Sequence, residues 1–98
     1  MNTANLQLEG LYAAVAALMT AIREKGLLDA REIDAALAAA EETIANDPGR
    51  PTKLSASNTD AICFPLRYLR LANQAAADGQ DLTFTQLATQ VGRTKPDH

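Results

Sequence analysis

The sequence predicts an all-α fold, a small four-helix domain made of two helical hairpins. Hydrophobic residues make up 47% of the chain but aromatic residues only 4%, and an alanine-rich, aromatic-poor chain favours helices over sheets. Apolar residues recur at spacings of three and four, the period of a helical face. Helix caps and glycines divide the chain into four such segments.

The chain length of 98 residues is that of a single domain. We therefore predict one domain over 1–98, with an N-terminal helical hairpin at 1–45 and a second helical unit at 58–92. The segment "NDPGRPTKLSAS" holds two prolines and a glycine, which predicts a linker at 46–57 because these residues break helices. Residues 93–98 are predicted to be a flexible tail.

The first helix, predicted over 5–25, carries two stripes of different character. One stripe is apolar and is predicted to face the core: Leu8, Leu11, Val15, Leu18 and Ile22. Tyr12 and Met19 widen this stripe. The other lies about 110° around the helix and holds only small residues: Gly10, Ala14, Ala17 and Ala21. The small residues are either an exposed flank chosen for helicity, or a packing surface for the third helix or a second copy of the chain.

The stretch "EKGLLDAREID", residues 24–34, has the signals of a turn between two helices. Gly26 can leave the first helix in a left-handed conformation, which glycine adopts at little cost. Asp29 and Glu32 have the spacing of a capping box, and Leu28 and Ile33 that of a hydrophobic staple. The turn is short, which predicts an antiparallel hairpin.

The same turn resembles the second half of an EF-hand calcium loop over residues 21–32. Gly26, Leu28 and Glu32 match the turn glycine, the central apolar residue and the last carboxylate of such a loop. The first three ligand positions, however, fall on Ala21, Arg23 and Lys25. Calcium needs six to eight oxygen ligands, so we expect no calcium here, while a non-binding EF-like arrangement of the helices stays open.

The second helix is predicted over 30–46, between the turn and the linker. Its apolar stripe is Ile33, Leu37, Ala40 and Ile44. Its outer face, predicted to be solvated, carries Arg31, Asp34, Glu41 and Glu42.

The third and fourth helices are predicted over 58–77 and 84–91. Ser57 or Asn58 would cap the third helix, and Pro65 would either kink it or mark its first turn. Beyond Pro65 apolar residues cover two adjacent faces, which is typical of a central helix. Thr83 and Gln86 have capping-box spacing for the fourth helix, and Gly92 is predicted to end it.

Reactive side chains are scarce. Cys63 is the only cysteine and stands among apolar residues, so we expect it to be buried and inert. A single cysteine forms no intrachain disulfide, which favours a cytoplasmic protein. One cysteine and one histidine, His98, supply no zinc site, and the sequence has no glycine-rich phosphate loop. We expect no enzyme activity, no cofactor and no metal.

The start of the chain carries no lysine or arginine within "MNTANLQLEG", so a secretory signal is not predicted. The apolar run "LYAAVAALMTAI" is shorter than the roughly 17–25 residues that span a bilayer. We therefore expect no membrane association.

Charge is unevenly distributed along the chain, whose net charge is −3. Residues 1–49 hold three basic and eight acidic groups, a net of −5, and residues 50–98 hold six basic and four acidic groups, a net of +2. Arg67, Arg70 and Gln74 share a helical face that could bind an acidic partner. The other interpretation is that the two arginines pair with acidic groups of the first half, Glu41 or Glu42.

The segment "LTFTQLATQVGRTK" resembles the first helix and turn of helix-turn-helix domains, in which a second helix enters the major groove. Here only six residues follow Gly92, so we expect no recognition helix. Nucleic-acid binding through Arg67, Arg70, Arg93 and Lys95 is therefore an alternative that the acidic total disfavours.

The function that these observations favour is a non-catalytic protein-interaction or regulatory module. Its partner is a protein, and the small-residue stripe of the first helix would let a second copy of the chain be that partner. A further alternative is an accessory subunit of a larger enzyme. The phrase "EKGLLD" resembles the N-terminal helical segment of nitrile hydratase subunits, but those enzymes hold their metal with several cysteines, so the resemblance implies no activity.

Overall fold

The computed structural model describes residues 3–46 and 56–93. These residues form four α-helices and no strand: α1 (Thr3–Glu24), α2 (Ala30–Ala45), α3 (Ala56–Ala77) and α4 (Phe84–Arg93). The predicted all-α, four-helix fold is confirmed. Most of the predicted linker, 47–55, and the end of the predicted tail, 94–98, lie outside the described residues.

Helix α3 is the centre of the domain, because α1, α2 and α4 each pack against it. This agrees with the apolar character that the sequence shows around much of α3. The core cluster draws on all four helices and comprises Tyr12, Met19, Ile33, Tyr68, Leu69, Leu87 and Val91.

Both predicted capping boxes are present. At the start of α2 the Glu32 backbone N–H donates to the Asp29 carboxylate at 2.8 Å, and the Asp29 N–H donates to the Glu32 carboxylate at 3.0 Å. At the start of α4 the Gln86 N–H donates to the Thr83 hydroxyl at 3.2 Å, and the Thr83 N–H donates to the Gln86 side chain at 2.8 Å. These pairs satisfy backbone donors that a helix start leaves without partners.

A glycine in the left-handed conformation follows α1, as the sequence predicts, and another follows α3. Gly26 has φ of 74° and Gly79 has φ of 73°. The reversal brings the Leu27 N–H to the Ile22 carbonyl oxygen at 3.2 Å. This is the hydrogen bond of a Schellman motif, which only a positive φ at the glycine allows.

Helix α3 begins earlier than predicted. It starts at Ala56, so Ser57 and Asn58 lie inside the helix and do not cap it. Pro65 lies in the helix interior and does not mark its first turn. Proline has no N–H for the carbonyl of Ala61, but Ala61 is exposed, so water can bind that oxygen.

The predicted end of α4 at Gly92 is wrong, because α4 continues to Arg93. Gly92 is not among the glycines with positive φ. It is therefore an ordinary helical residue, and its presence in the sequence did not mark a turn.

Helix α1 faces the core with a different set of residues from the predicted stripe. Tyr12 and Met19 are buried, and Val15 and Ile22 pack beside them. Leu8, Leu11 and Leu18, which the sequence placed in the core, are exposed. Tyr12 and Met19 lie about 80–120° from Leu11 and Leu18 around the helix. Because Tyr12 and Met19 contact the core, Leu11 and Leu18 face outward.

Candidate functional site

The first candidate site is an uncovered face of α1, which we call the outer face. It combines the predicted small-residue stripe with two leucines and consists of Gly10, Leu11, Ala14, Ala17, Leu18 and Ala21, all of them exposed. The exposed fractions of Leu11 and Leu18 are 58% and 64%. A β-carbon added at Gly10 would meet no atom within 4 Å. The small-residue stripe is therefore not used for packing on α3.

Helix α1 is also the one helix, among the described residues, that is long and apolar enough to cross a membrane by length and composition. Its 18-residue window has a mean hydropathy of 1.2, and 11% of that window is buried. Length and composition alone carry little weight, since core helices of soluble proteins and N-terminal signal sequences pass the same test.

The predicted basic face of α3 is occupied by a network that we call the arginine cluster: Arg67, Arg70, Asp34, Glu41 and Asp60. The Arg67 guanidinium lies 2.9 Å from Glu41 and 3.3 Å from Asp60. The Arg70 guanidinium lies 2.9 Å from Asp34 and 3.4 Å from Glu41. Glu41 therefore joins both arginines and connects α2 to α3.

The arginine cluster places Asp34 and Glu41 at the α2–α3 interface, whereas the sequence placed them on a solvated outer face. Hydrogen bonds to Glu41 and to Asp34 raise the pKa of Arg67 and of Arg70, respectively, above the usual range. Of the two acidic partners that the sequence suggested for the arginines, Glu41 forms the pairs and Glu42 is exposed.

The charge that this face presents to a partner is small. Among the described residues, the two guanidinium groups of the arginine cluster oppose three carboxylates. Gln74, the third predicted residue of the face, donates to Asp78 at 3.1 Å. Arg93 is exposed at the end of α4, and Lys95 lies outside the described residues. The geometry thus adds no support to nucleic-acid binding, which needs uncompensated positive charge.

Asn73 is a structural residue that the sequence reasoning missed. Its exposed fraction is 1%. Its side-chain oxygen accepts from the Arg23 guanidinium at 2.6 Å, and its amide nitrogen donates to the Ala30 carbonyl oxygen at 2.7 Å. One side chain of α3 thereby holds the end of α1 and the start of α2. The available signal was a polar residue inside the apolar run of α3.

Cys63 is completely buried, as predicted. Its sulfur lies 3.9 Å from the Glu41 backbone carbonyl oxygen. A thiol at this position is closed to a solvent-borne substrate. Within 3–46 and 56–93, no group of three or more His, Cys, Asp and Glu side chains could hold a metal ion. At the EF-like turn, Asp29 and Glu32 serve as caps of α2.

The second candidate site is an open pocket between α1, α3 and α4, which we call the aromatic pocket. Its volume is about 290 Å³, and its lining is Asn5, Leu8, Glu9, Tyr12, Phe64, Phe84 and Ala88. Three rings beside it form a triangle that we call the aromatic cluster: Tyr12, Tyr68 and Phe84. Their centroids are 4.9, 5.2 and 5.7 Å apart. The pocket could not be predicted from the sequence, because its residues come from three helices.

Glu9 gives the aromatic pocket its charge. Burial raises the pKa of Tyr68, and the nearby charge of Glu9 raises it further. Burial also raises the pKa of Tyr12. Glu9 forms no ion pair or hydrogen bond with any residue of the described segments.

Comparisons of the chain with protein-family models, curated proteins and solved structures gave no match. The outer face of α1 and the aromatic pocket are the two features of the described residues that bear on function.

Proposed function

We propose that the chain is a non-catalytic helical module that binds a protein partner through the outer face of α1, and that a second copy of the chain fits this face. The observation that carries the proposal is the exposure of Leu11 and Leu18 beside a row of small residues. Covering apolar surface contributes about 25 cal/mol per Å². Exposed apolar patches of this kind are typical of interaction sites.

The spacing of the outer face favours a second helix as its partner. Leu11, Ala14, Leu18 and Ala21 are separated by three, four and three residues, which is the seam of a helix pair. Large and small residues alternate along this seam. A partner helix with the complementary alternation would fill the spaces above the alanines.

A second copy supplies that complement when its α1 runs antiparallel. Leu11 then faces Ala21 of the partner subunit, and Ala14 faces Leu18 of the partner subunit. Every layer holds one leucine and one alanine, so the interface has even width and two-fold symmetry. A parallel pair would instead alternate leucine layers with alanine layers, which leaves gaps.

Charge favours the same arrangement. The outer face itself contains no charged residue, and Glu24 and Lys25 stand at its C-terminal end. An antiparallel pair keeps these charges away from their copies, whereas a parallel pair would place like charges together. An anionic membrane is a poorer partner, because α1 has no lysine or arginine before Arg23 and such helices bind membranes through basic residues.

Sedimentation of the parent chain and two leucine variants tests the proposal. We expect the parent to sediment at twice the chain mass of 10.4 kDa, and Leu18→Gln to weaken dimerisation at least about tenfold, since it puts an amide at the centre of the seam. The matched control is Leu27→Gln, because Leu27 is 73% exposed but lies in the turn after α1. A parent chain that is monomeric at millimolar concentration would refute the second copy as partner.

Cysteine cross-linking tests the antiparallel geometry. An equal mixture of Ala14→Cys and Leu18→Cys chains should oxidise mainly to the mixed disulfide, which differs in mass from either homodisulfide. The natural Cys63 is buried and gives little background. Homodisulfides as the main products would show a parallel pair and contradict the proposed geometry.

A further inference from the structure

We propose that the aromatic pocket binds an alkylammonium group, carried either by a small organic cation or by a lysine-type side chain of a peptide. This inference is independent of the proposed dimer, since the pocket is lined from the core side of α1 and from α3 and α4. It rests on three features of the pocket: its aromatic walls, its single carboxylate and its size.

Most of the aromatic residues of the chain lie at the pocket. The sequence contains four aromatic residues; three of them line the pocket, and the fourth, Tyr68, contacts two of these rings. Phe64 and Phe84 are only half-buried, so part of their surface faces the pocket. The faces of aromatic rings attract cations, and ammonium recognition by clustered rings depends on this attraction.

Glu9 is the single charged residue of the lining. Burial raises the pKa of Tyr68, and the charge of Glu9 adds to that rise, in agreement with the position of Glu9 in the lining beside Tyr12. Glu9 is exposed at this open pocket and forms no ion pair with a residue of 3–46 or 56–93. A carboxylate in this position attracts a cation and repels an anion. The pocket therefore selects by sign of charge.

The volume of about 290 Å³ is at the small end of the range for small-molecule sites. It suits one ammonium head group with its methyl or methylene groups. Leu8 and Ala88 offer contacts to those groups, and Asn5 adds a neutral polar side chain to the lining.

Tyrosine fluorescence gives a direct readout. The chain has two tyrosines and no tryptophan, and both tyrosines belong to the aromatic cluster. We expect choline to change the emission in a saturable manner at constant ionic strength. The neutral analogue 3,3-dimethylbutan-1-ol, which has the same shape without the charge, should bind at least about tenfold more weakly.

Two carboxylate variants locate the binding. Glu9→Gln should weaken choline binding about tenfold, whereas Glu24→Gln, at the other end of α1 and outside the pocket lining, should leave it unchanged. Circular dichroism of both variants checks that α1 is intact. Equal binding of choline and the neutral analogue, or no saturable change up to about 100 mM choline, would overturn the proposal.

A short peptide with a trimethyllysine residue distinguishes the two sources of the group. Tighter binding of the peptide than of choline assigns the pocket to a protein segment, and the reverse assigns it to a free cation. Either result supports the pocket. Phe84→Leu should weaken both ligands while retaining apolar volume, and unchanged affinities in this variant would contradict the role of the rings.

Discussion

The two sides of α3 differ in how many of their side chains have a partner within the fold. Toward α2, the arginine cluster pairs its charges and Asn73 satisfies both ends of its amide. Toward α1 and α4, the aromatic cluster leaves a pocket open, and α1 leaves its outer face uncovered. The side toward α2 thus holds the helices together, whereas the side toward α1 and α4 retains surface that can bind other molecules.

Removal of Arg67 should produce the largest loss of stability on the α2 side. Arg67→Ala removes the cation that Glu41 and Asp60 share, and breaking a fully buried pair costs about 3–5 kcal/mol. The Arg67 side chain is 21% exposed and Arg70 keeps its contact with Glu41, so we expect about 2 kcal/mol. The measurement is urea unfolding followed by circular dichroism.

The control for this variant is Arg93→Ala, because Arg93 is an exposed arginine at the end of α4. It should change the free energy of unfolding by less than about 0.5 kcal/mol. Equal midpoints for Arg67→Ala and the parent chain would show that the arginine cluster does not join α2 to α3 energetically.

Alkaline pH should lower the free energy of unfolding through the two tyrosines of the aromatic cluster. Burial raises the pKa of Tyr12 and Tyr68 above 10.0 in the folded chain, so the folded state holds these protons more tightly than the unfolded state. Their contribution to stability is complete below pH 10 and is lost as the pH rises through the folded pKa values.

Urea unfolding of the parent and of Tyr68→Phe at several pH values measures this loss. The decline above pH 10 should be shallower in the variant, because one of the two titrating groups is gone. Parallel curves for the two chains would contradict the role of Tyr68.

Glycine substitutions should change the free energy of unfolding least. The sign of the change should differ between a glycine in a turn and a glycine in a helix. Gly92→Ala should stabilise the fold by about 0.5 kcal/mol, since alanine is the better helix former and the added carbon meets no atom within 4 Å. Gly79→Ala should destabilise it by about 1 kcal/mol, because φ there is 73°. Thermal unfolding of both variants measures these changes. A change of the same sign in Gly92→Ala and Gly79→Ala would contradict the helical conformation of Gly92 in α4.

Local signals were the reliable part of the sequence. The capping boxes at Asp29 and Thr83 and the left-handed Gly26 are present as predicted. Each involves residues no more than five apart, so its geometry depends little on the rest of the fold. Ser57 and Gly92 show the limit of such signals, since neither marks a helix end in the folded chain.

The direction in which each helix faces was decided by tertiary structure. Helix α1 is apolar on two faces, and its periodicity alone could not show that Tyr12 and Met19 face α3 while Leu11 and Leu18 face outward. Glu41 meets Arg67 across 26 positions of sequence, and that meeting exists only because α2 packs on α3. Residues far apart in sequence meet through packing, and for that reason the aromatic pocket and the arginine cluster could be seen only in the folded chain.

The helical class, the capped helix starts at Asp29 and Thr83 and the turn at Gly26 can be predicted from the amino-acid sequence, because propensity, capping and backbone freedom act between neighbours. Packing between helices sets which apolar face of α1 is buried and which charges are paired. Those choices follow from the shape and length of side chains on separate helices, and burial of one face of α1 against α3 leaves the other exposed.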